Sequence, residues 1–231
     1  MNILKSALYA LLFLFPLAGC SSLASNPTFK MARHLFPQES NVDQVQLDGR
    51  YQYIRVVVDG GVAFLASDSP DVEATDQDAV WFSAGREVLR FRNGRLVAAV
   101  GLPTEWRNVI LPELPVWSEL VGSEKSFKWV RIRDVMPGYL YGIHDHLVLN
   151  RITPQTRSNL TGVDPGTLVW FEESFEDRPV AGTLRPPEGL PPARYAVKVN
   201  EVTASVIYAE QCISAKFCFT WQRWPVRVDK R

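Results

Sequence analysis

The most informative segment of the chain is Glu87–Val100, which has the sequence EVLRFRNGRLVAAV. Its centre, Asn93-Gly94, is the dipeptide most typical of a two-residue type I′ turn, so the segment predicts a β-hairpin. Counting outward from the turn gives the predicted cross-strand pairs: Arg92 with Arg95, Phe91 with Leu96, Arg90 with Val97, and Leu89 with Ala98. Side chains alternate between the two faces of a strand. The apolar face is therefore predicted to pack in the core, and it consists of Leu89, Phe91, Leu96, Ala98 and Val100.

The opposite face of this predicted hairpin is basic, with Arg86, Arg90, Arg92 and Arg95. Like charges directly opposite each other destabilise a strand pair unless something compensates them. An acidic polysaccharide would do so through charge-assisted hydrogen bonds to the guanidinium groups. Solvated side chains, or ion pairs with carboxylates on neighbouring strands, are the commoner arrangement. The four arginines are thus candidate glycan-binding residues, with ion pairing as the alternative.

The remainder of the chain alternates short aromatic and β-branched runs with turn residues, which favours β structure. Tyr51–Val58 and Val62–Ala66 flank Asp59-Gly60-Gly61 and predict another hairpin. Further strands are predicted at Lys125–Val135, Tyr139–Ile143, His146–Ile152, Thr167–Phe171, Arg194–Val199, Thr203–Tyr208 and Lys216–Trp224. Many short strands of this kind predict a mainly β fold, a single antiparallel β-sandwich or barrel-like domain.

Two proline-rich segments interrupt this pattern. Pro103–Pro115 contains three prolines and predicts irregular structure, followed by one or two helical turns at Pro115–Leu120. Asp177–Ala193 predicts a long, exposed loop.

The N-terminus resembles a bacterial lipoprotein signal. Lys5 precedes the apolar run Ala7–Phe15, which is too short to span a bilayer but has the length of a signal-peptide core. Leu17-Ala18-Gly19-Cys20 follows and is similar to a lipobox. The resemblance implies cleavage before Cys20 and acylation of that residue, with palmitate-type chains that anchor the protein. The alternative is an ordinary secretory signal that happens to contain a cysteine.

The resulting organisation has three parts. Residues 1–19 form the signal peptide, residues 20–27 carry the lipid and form a flexible tether, and residues 28–231 form a single β-rich periplasmic domain that begins with a short helix at Thr28–Phe36. Ser21 follows the lipidated cysteine, and the lack of an aspartate there implies the outer membrane. The whole sequence has 25 basic and 25 acidic residues, a balance that argues against nucleic-acid binding.

The two cysteines that remain, Cys212 and Cys218, predict a disulfide because the compartment is oxidising. A redox or metal site is the alternative, although the spacing differs from Cys-x-x-Cys. Trp221 and Trp224 are predicted on opposite faces of the last strand. Trp221 is assigned to the core, and Trp224 to sugar stacking or to packing.

Other residues of catalytic type are more consistent with structural roles. His144-Asp145-His146 contains two potential ligands of one metal ion, but a polar turn between two strands explains it better. A glycosidase requires two carboxylates across a cleft, and the candidates Glu172, Glu173, Glu176 and Asp177 are also typical of a solvated loop. Nucleophile elbows, phosphate-binding loops and dinucleotide motifs are absent from the sequence. We therefore expect no catalytic residues, metal or cofactor.

Three motifs together resemble a known family. They are Val80-Trp81-Phe82-Ser83-Ala84-Gly85, the hairpin segment Leu89–Leu96, and Gly101-Leu102-Pro103. With the lipobox and the size, they resemble the YjbF-like lipoproteins, also called group 4 capsule polysaccharide lipoproteins of the GfcB type. The resemblance implies an antiparallel β fold, an outer-membrane location and partners encoded in an exopolysaccharide or capsule secretion cluster, and it brings no catalytic residues. The expected function is that of a non-catalytic accessory factor. The alternatives are a periplasmic glycan-modifying enzyme and a structural subunit of an envelope complex.

Overall fold

A computed structural model describes residues 46–67, 78–176, 189–201 and 203–225 of the protein. The predicted signal peptide, the tether and the helix at Thr28–Phe36 lie outside the described residues. Within the described ranges, no helix has the length and the apolar character needed to cross a membrane.

The described residues form twelve strands, one α-helix and one short 3-10 turn. The strands are β1 (Gln52–Val58), β2 (Gly61–Ser67), β3 (Ala79–Phe82), β4 (Val88–Arg92), β5 (Arg95–Val100), β6 (Glu105–Ile110), β7 (Phe127–Met136), β8 (Leu140–Ile152), β9 (Val169–Phe175), β10 (Ala193–Val199), β11 (Ala204–Ser214) and β12 (Phe217–Trp224). The helix, α1, spans Trp117–Val121, and the 3-10 turn spans Pro165–Thr167. The predicted mainly β class is confirmed.

The sheet closes into a barrel. Each strand pairs antiparallel with the next along the chain, and β12 pairs with β1 to complete the ring. Consecutive strands run in opposite directions, so the connections fall at two ends. We call the end where β1 begins and β12 finishes the entry end; it also carries the Asn93-Gly94 turn and α1. The opposite end, with the Asp59-Gly60 turn, is the far end.

Side chains fill the barrel interior, as is usual for small barrels. The inward residues of β1, for example, are Ile54, Val56 and Val58, all buried in the same core. Four tryptophans extend this core: Trp81, Trp106, Trp117 and Trp221. Burial of this apolar surface is the main favourable contribution to folding.

A connection between β8 and β9 covers part of the outer wall. Gln222 is 2% exposed because the backbone of Thr161 exchanges two hydrogen bonds with its side chain, at 3.0 and 2.7 Å. Trp170 donates from Nε1 to the carbonyl of Pro165 at 3.0 Å. A second, smaller core forms beneath this connection. It consists of Leu168, Trp170, Ala196 and Tyr208.

The Asn93-Gly94 hairpin forms as predicted near its turn and deviates further along. Arg92 pairs with Arg95 and Phe91 with Leu96. A β-bulge then inserts Val97, so that Arg90 pairs with Ala98 and Leu89 with Ala99. The predicted pairs of Arg90 with Val97 and of Leu89 with Ala98 are wrong, because one extra residue shifts the register beyond it. Ala99 accordingly takes the buried position predicted for Ala98.

The hairpin of β1 and β2 and the helical turns of α1 confirm their predictions. Pro103–Pro115 was predicted to be irregular, which is wrong for its centre, where β6 lies. The prolines precede and follow β6, outside its hydrogen-bond ladder, as proline requires. Strands β9 and β11 extend beyond the predicted ranges, to Phe175 and Ser214.

Candidate functional site

The predicted disulfide joins Cys212 and Cys218, whose Cα atoms lie 3.9 Å apart. The two residues face each other across β11 and β12, next to a register shift between these strands. The bridge therefore links the two final strands near the far end.

Only part of the predicted arginine face is present. Arg90 and Arg92 lie on the outer wall and share one carboxylate, that of Asp78, with closest N–O distances of 3.6 and 2.7 Å. Arg86 is exposed in the turn before β4, with a φ of 75°. Arg95 is only 4% exposed, so its predicted place on this face is wrong. Aromatic rings and the carboxylate of Glu173 in the barrel interior hold its guanidinium there.

Trp224 lies on the outer wall, and Trp221 is 4% exposed in the core, so the two rings face opposite ways as predicted. Trp224 is half-buried, and its ring lies 5.7 Å from that of Phe64. Trp224 therefore packs against Phe64, in agreement with the packing role that the sequence predicts as one of two alternatives.

Five charged side chains meet inside the barrel, and we call them the interior charge cluster: Arg95, Arg131, Arg133, Asp145 and Glu173. Asp145 is fully buried and accepts hydrogen bonds from Arg131 Nε at 2.9 Å and from Arg133 Nε at 2.6 Å. A further bond joins Arg133 Nη2 to the second oxygen of Asp145, at 3.2 Å. Glu173 lies 3.4 Å from Arg131 Nη1 and 3.8 Å from Arg95 Nε.

The register of three adjacent strands brings these charges together. Arg131 on β7 lies opposite Asp145 on β8, and Glu173 on β9 lies one strand further. Each occupies an inward position among core residues: Asp145, for example, lies between Ile143 and Leu147. His144-Asp145-His146 is therefore the middle of a strand, and the predicted turn is wrong. The apolar residues that alternate with Asp145 along this strand were the sequence signal for an inward aspartate.

Aromatic rings surround the guanidinium groups of the cluster. The Arg95 guanidinium carbon lies 4.2 Å from the centre of the Trp117 ring, and those of Arg131 and Arg133 lie 4.7 and 4.9 Å from that of Trp106. Such cation–π contacts stabilise cations that have lost their hydration. Trp117 is itself fixed by a hydrogen bond of 2.8 Å from Nε1 to the carbonyl of Asn93.

The cluster is unbalanced in charge. Its three buried arginines contact two buried carboxylates among the described residues, those of Asp145 and Glu173. Burial lowers the pKa of Arg95 and of Arg133, and Asp145 opposes this effect at Arg133. Two nitrogens of Arg95, Nε and Nη2, are buried without a hydrogen-bond partner. Burial also raises the pKa of Tyr195, whose hydroxyl lies 3.5 Å from Glu173.

The candidate carboxylates for a glycosidase pair lie apart from one another. Glu172 lies on the outer wall and accepts a hydrogen bond from Arg194 at 3.0 Å, whereas Glu173 points inward. Glu176 contacts Lys128 at 2.8 Å, and Asp177 lies outside the described residues. A cavity beside Arg131 and Glu173 has a volume of about 20 Å³, the space of about one water. Both interior carboxylates contact arginines, a geometry suited to holding strands together.

The two histidines of the motif face outward, on the side opposite to Asp145. His144 is exposed and His146 is half-buried. In the described part of the chain, no three His, Cys, Asp or Glu side chains are grouped as metal ligands would be.

A larger cavity, of about 260 Å³, opens at the entry end. It lies between the Asn93-Gly94 turn and the segment that follows β6. Its lining consists of Arg92, Asn93, Arg95, Leu111, Pro112, Glu113 and Leu114.

Comparison with known proteins gives a structural likeness. No family model matches the chain, and no curated protein matches it. The fold is similar to the crystal structure of the hypothetical lipoprotein YmcC from Escherichia coli (K12), with a TM-score of 0.56 and 14% sequence identity. The similarity covers 86% of this chain and 96% of YmcC. At this identity the likeness establishes a shared fold, which extends over almost all of YmcC.

Proposed function

We propose that this chain is an outer-membrane lipoprotein, anchored through Cys20 and facing the periplasm, that acts as a non-catalytic accessory factor in exopolysaccharide or capsule production or export. The lipobox-like Leu17–Cys20 supports the anchor, and the fold shared with a protein described as a hypothetical lipoprotein agrees with it. The polysaccharide role rests on the resemblance to YjbF-like lipoproteins. The motif residues of that resemblance lie on β3, β4 and β5 and in the connections that follow each of these strands, and they include the buried Trp81.

The single observation that carries the non-catalytic role is the filled barrel. Its two interior carboxylates, Asp145 and Glu173, are both engaged by Arg131. A carboxylate acts as a general acid or base only when it reaches the proton to be moved. Arginine contacts and a cavity the size of one water leave no room for a sugar beside these groups in the described part of the barrel.

Contact with an acidic polysaccharide would use the outer wall of the β4–β5 hairpin. Arg90 and Arg92 together carry two positive charges against the one carboxylate of Asp78 that they share. Among the described residues, the pair therefore keeps a net positive charge that a polyanion can compensate. Arg86 adds an exposed cation on the same hairpin.

A structural subunit of an envelope complex is the second candidate, and one surface favours it. At the far end, a tip is formed by Tyr139 in the turn after β7 and by Leu140 and Tyr141 at the start of β8, with exposures of 73, 42 and 57%. Contiguous exposed apolar residues often mark a protein contact. The tip lies at the far end. The start of β1, which follows the proposed anchor segment in the sequence, lies at the entry end.

The proposal is tested in the native host by deleting the gene and complementing the deletion. The wild-type chain should restore the amount of secreted and surface polysaccharide, and Cys20→Ser should not, because it lacks the anchor. Mass spectrometry of the mature N-terminus should find an acylated Cys20 in the wild type. Membrane fractionation should find Ser21→Asp in the inner membrane, with Ser22→Ala as the matched control that stays in the outer membrane.

Three results would contradict the proposal. A deletion strain with unchanged polysaccharide would remove the export role, and an unmodified Cys20 would remove the anchor. Turnover of a glycan by the purified protein would move the function to the enzyme class.

A further inference from the structure

Strands β3, β4 and β5 form a three-stranded section of the barrel, which we call the flap. Within the flap, four residue pairs join β3 to β4 and five join β4 to β5. On each of its two borders, the ladder between described residues consists of a single pair, Ala66 with Phe82 and Ala99 with Trp106. Every other ladder between the described strands contains at least five pairs. The flap is therefore joined to the rest of the ring much more weakly than its own strands are joined to one another.

Both border pairs lie toward the far end of the barrel. Phe82 is the last residue of β3, and Ala99 is the last but one of β5. Nearer the entry end, residues 79–81 and 95–98 have no ladder partner on β2 or β6 among the described residues. Hinges in proteins are commonly a few residues at the ends of structural elements. The two border pairs occupy the position of such a hinge, and the Asn93-Gly94 turn lies at the end of the flap remote from it.

At the entry end, a buried glutamine holds the flap against the opposite wall. Gln211 accepts a hydrogen bond from the backbone N–H of Leu96 at 3.0 Å and donates one to the carbonyl of Gly94 at 2.9 Å. A Cβ atom at Gly94 would lie 2.6 Å from the Cβ atom of Val206, so the turn also contacts β11 closely. Strand β11 is six strands away from β5 in either direction around the ring of twelve. The end of the hairpin therefore reaches across the barrel interior.

Arg95 and Asn93 add further contacts with residues outside the flap. The guanidinium carbon of Arg95 lies 4.2 Å from the centre of the Trp117 ring and 5.6 Å from that of Tyr195. Its Nε atom lies 3.8 Å from the carboxylate of Glu173. The carbonyl of Asn93 accepts the hydrogen bond from Trp117 Nε1. These partners belong to α1, β9 and β10, so side chains close the entry end of the flap where a backbone ladder closes the rest of the ring.

We infer that β3–β5 is a hinged flap with a closed and an open state, and that Gln211 and Arg95 hold it closed. Opening breaks both hydrogen bonds of Gln211 and moves Arg95 away from Glu173, while the β4–β5 ladder stays intact. Water then reaches the interior charge cluster from the entry end. Proteins commonly open in parts, at a lower free energy than complete unfolding requires. This motion belongs to the fold itself and is independent of the proposed role in export.

The test measures how quickly a buried thiol is modified in the folded protein. Val97→Cys places a thiol on the flap, and Val197→Cys is the matched control on β10, because both valines are fully buried in the same core. Cys212 and Cys218 are joined in a disulfide and do not react. The mature lipoprotein in detergent is treated with N-ethylmaleimide, and each rate is divided by that of the same variant in urea. Val97→Cys should react at least about tenfold faster than Val197→Cys, since opening of the flap exposes the first thiol alone.

Gln211→Met then tests the contacts that close the flap. It should accelerate modification of Val97→Cys by about tenfold to a hundredfold, because two hydrogen bonds to backbone groups are lost, and it should affect Val197→Cys less. Gln222→Met is the matched control. Gln222 is also buried and also exchanges two hydrogen bonds with the backbone, but its partner is Thr161 in the β8–β9 connection. This control should leave the Val97→Cys rate within about twofold, as expected for sites that share no partner.

Equal rates for the two cysteine positions, or faster modification of Val197→Cys, would overturn the inference, because the core would then be exposed only by unfolding of the whole barrel. The same acceleration of both positions by Gln211→Met would also overturn it. So would an equal acceleration of Val97→Cys by Gln211→Met and Gln222→Met. If Gln211→Met fails to fold, the two cysteine positions in the otherwise unchanged chain decide the question.

Discussion

Replacement of Asp145 by asparagine isolates the contribution of the interior charge cluster. The variant keeps the shape of the side chain and removes its charge. Asp145 is fully buried and binds Arg131 and Arg133 through both oxygens. Arg131 retains Glu173 at 3.4 Å, whereas the contacts of Arg133 with a carboxylate in the described structure all involve Asp145.

The expected loss in the free energy of unfolding is about 3–5 kcal/mol, the usual cost of leaving a buried charge without its partner. Natural domains have total stabilities of about 5–15 kcal/mol, so this loss is a large fraction of the whole. With an m-value of about 2 kcal/mol per molar, the urea midpoint falls by about 2 M. Equilibrium unfolding followed by tryptophan fluorescence measures this shift.

Glu172→Gln is the matched control, because Glu172 neighbours the cluster residue Glu173 in sequence but pairs with Arg194 on the outer wall. Partly exposed ion pairs contribute about 0–1 kcal/mol, so the midpoint of this variant should change little. Equal midpoints for Asp145→Asn and Glu172→Gln would refute the claim that the interior pairs stabilise the barrel. A fully unfolded Asp145→Asn beside a folded Glu172→Gln would agree with it.

Two other predictions concern the disulfide and the buried tyrosines. Replacing Cys212 and Cys218 by alanine should lower the free energy of unfolding by about 2 kcal/mol, the chain-entropy value for so short a loop. Reduction of the disulfide in the wild type should give the same urea midpoint as the alanine variant. A urea midpoint that neither change moves would contradict this prediction. Burial raises the pKa of Tyr195 and Tyr208 above the ordinary value near 10. Their contribution to stability is complete below that value and is lost as the pH rises toward their folded pKa values. An ultraviolet titration should therefore find two fewer ionised tyrosines at pH 11 in the native protein than in urea, and equal counts would show that the two rings are accessible.

The sequence predicted features whose physical cause is local. A two-residue turn such as Asn93-Gly94 fixes its own geometry, and the flanking pair of Arg92 with Arg95 followed correctly. The lone cysteine pair, the helical turns near Trp117 and the opposite faces of Trp221 and Trp224 were predicted in the same way. In each case neighbouring residues determine the outcome.

Errors arose where distant residues decide the outcome. The alternation of apolar and polar residues does not indicate the bulge at Val97. Beyond the bulge, the one inserted residue reverses which side chains of the strand face the core. Arg95 is buried because Trp117 and Glu173, from elsewhere in the chain, create a place for its guanidinium. Asp145 appeared to belong to a polar turn because its ion-pair partners lie on another strand.

The closing seam between β1 and β12 has a consequence for the order of events during biosynthesis. Every other strand pair joins neighbours in sequence, but Val57 must meet Thr220 across almost the whole described chain. A chain synthesised only as far as β11 thus exposes two unpaired strand edges, where the complete ring of described strands has none. Unpaired edges promote aggregation. Pairing of β12 with β1 and β11 therefore completes the barrel and removes both edges. A chain shortened before Phe217 should accumulate as aggregates or degradation products, even though nearly all of its core residues are present.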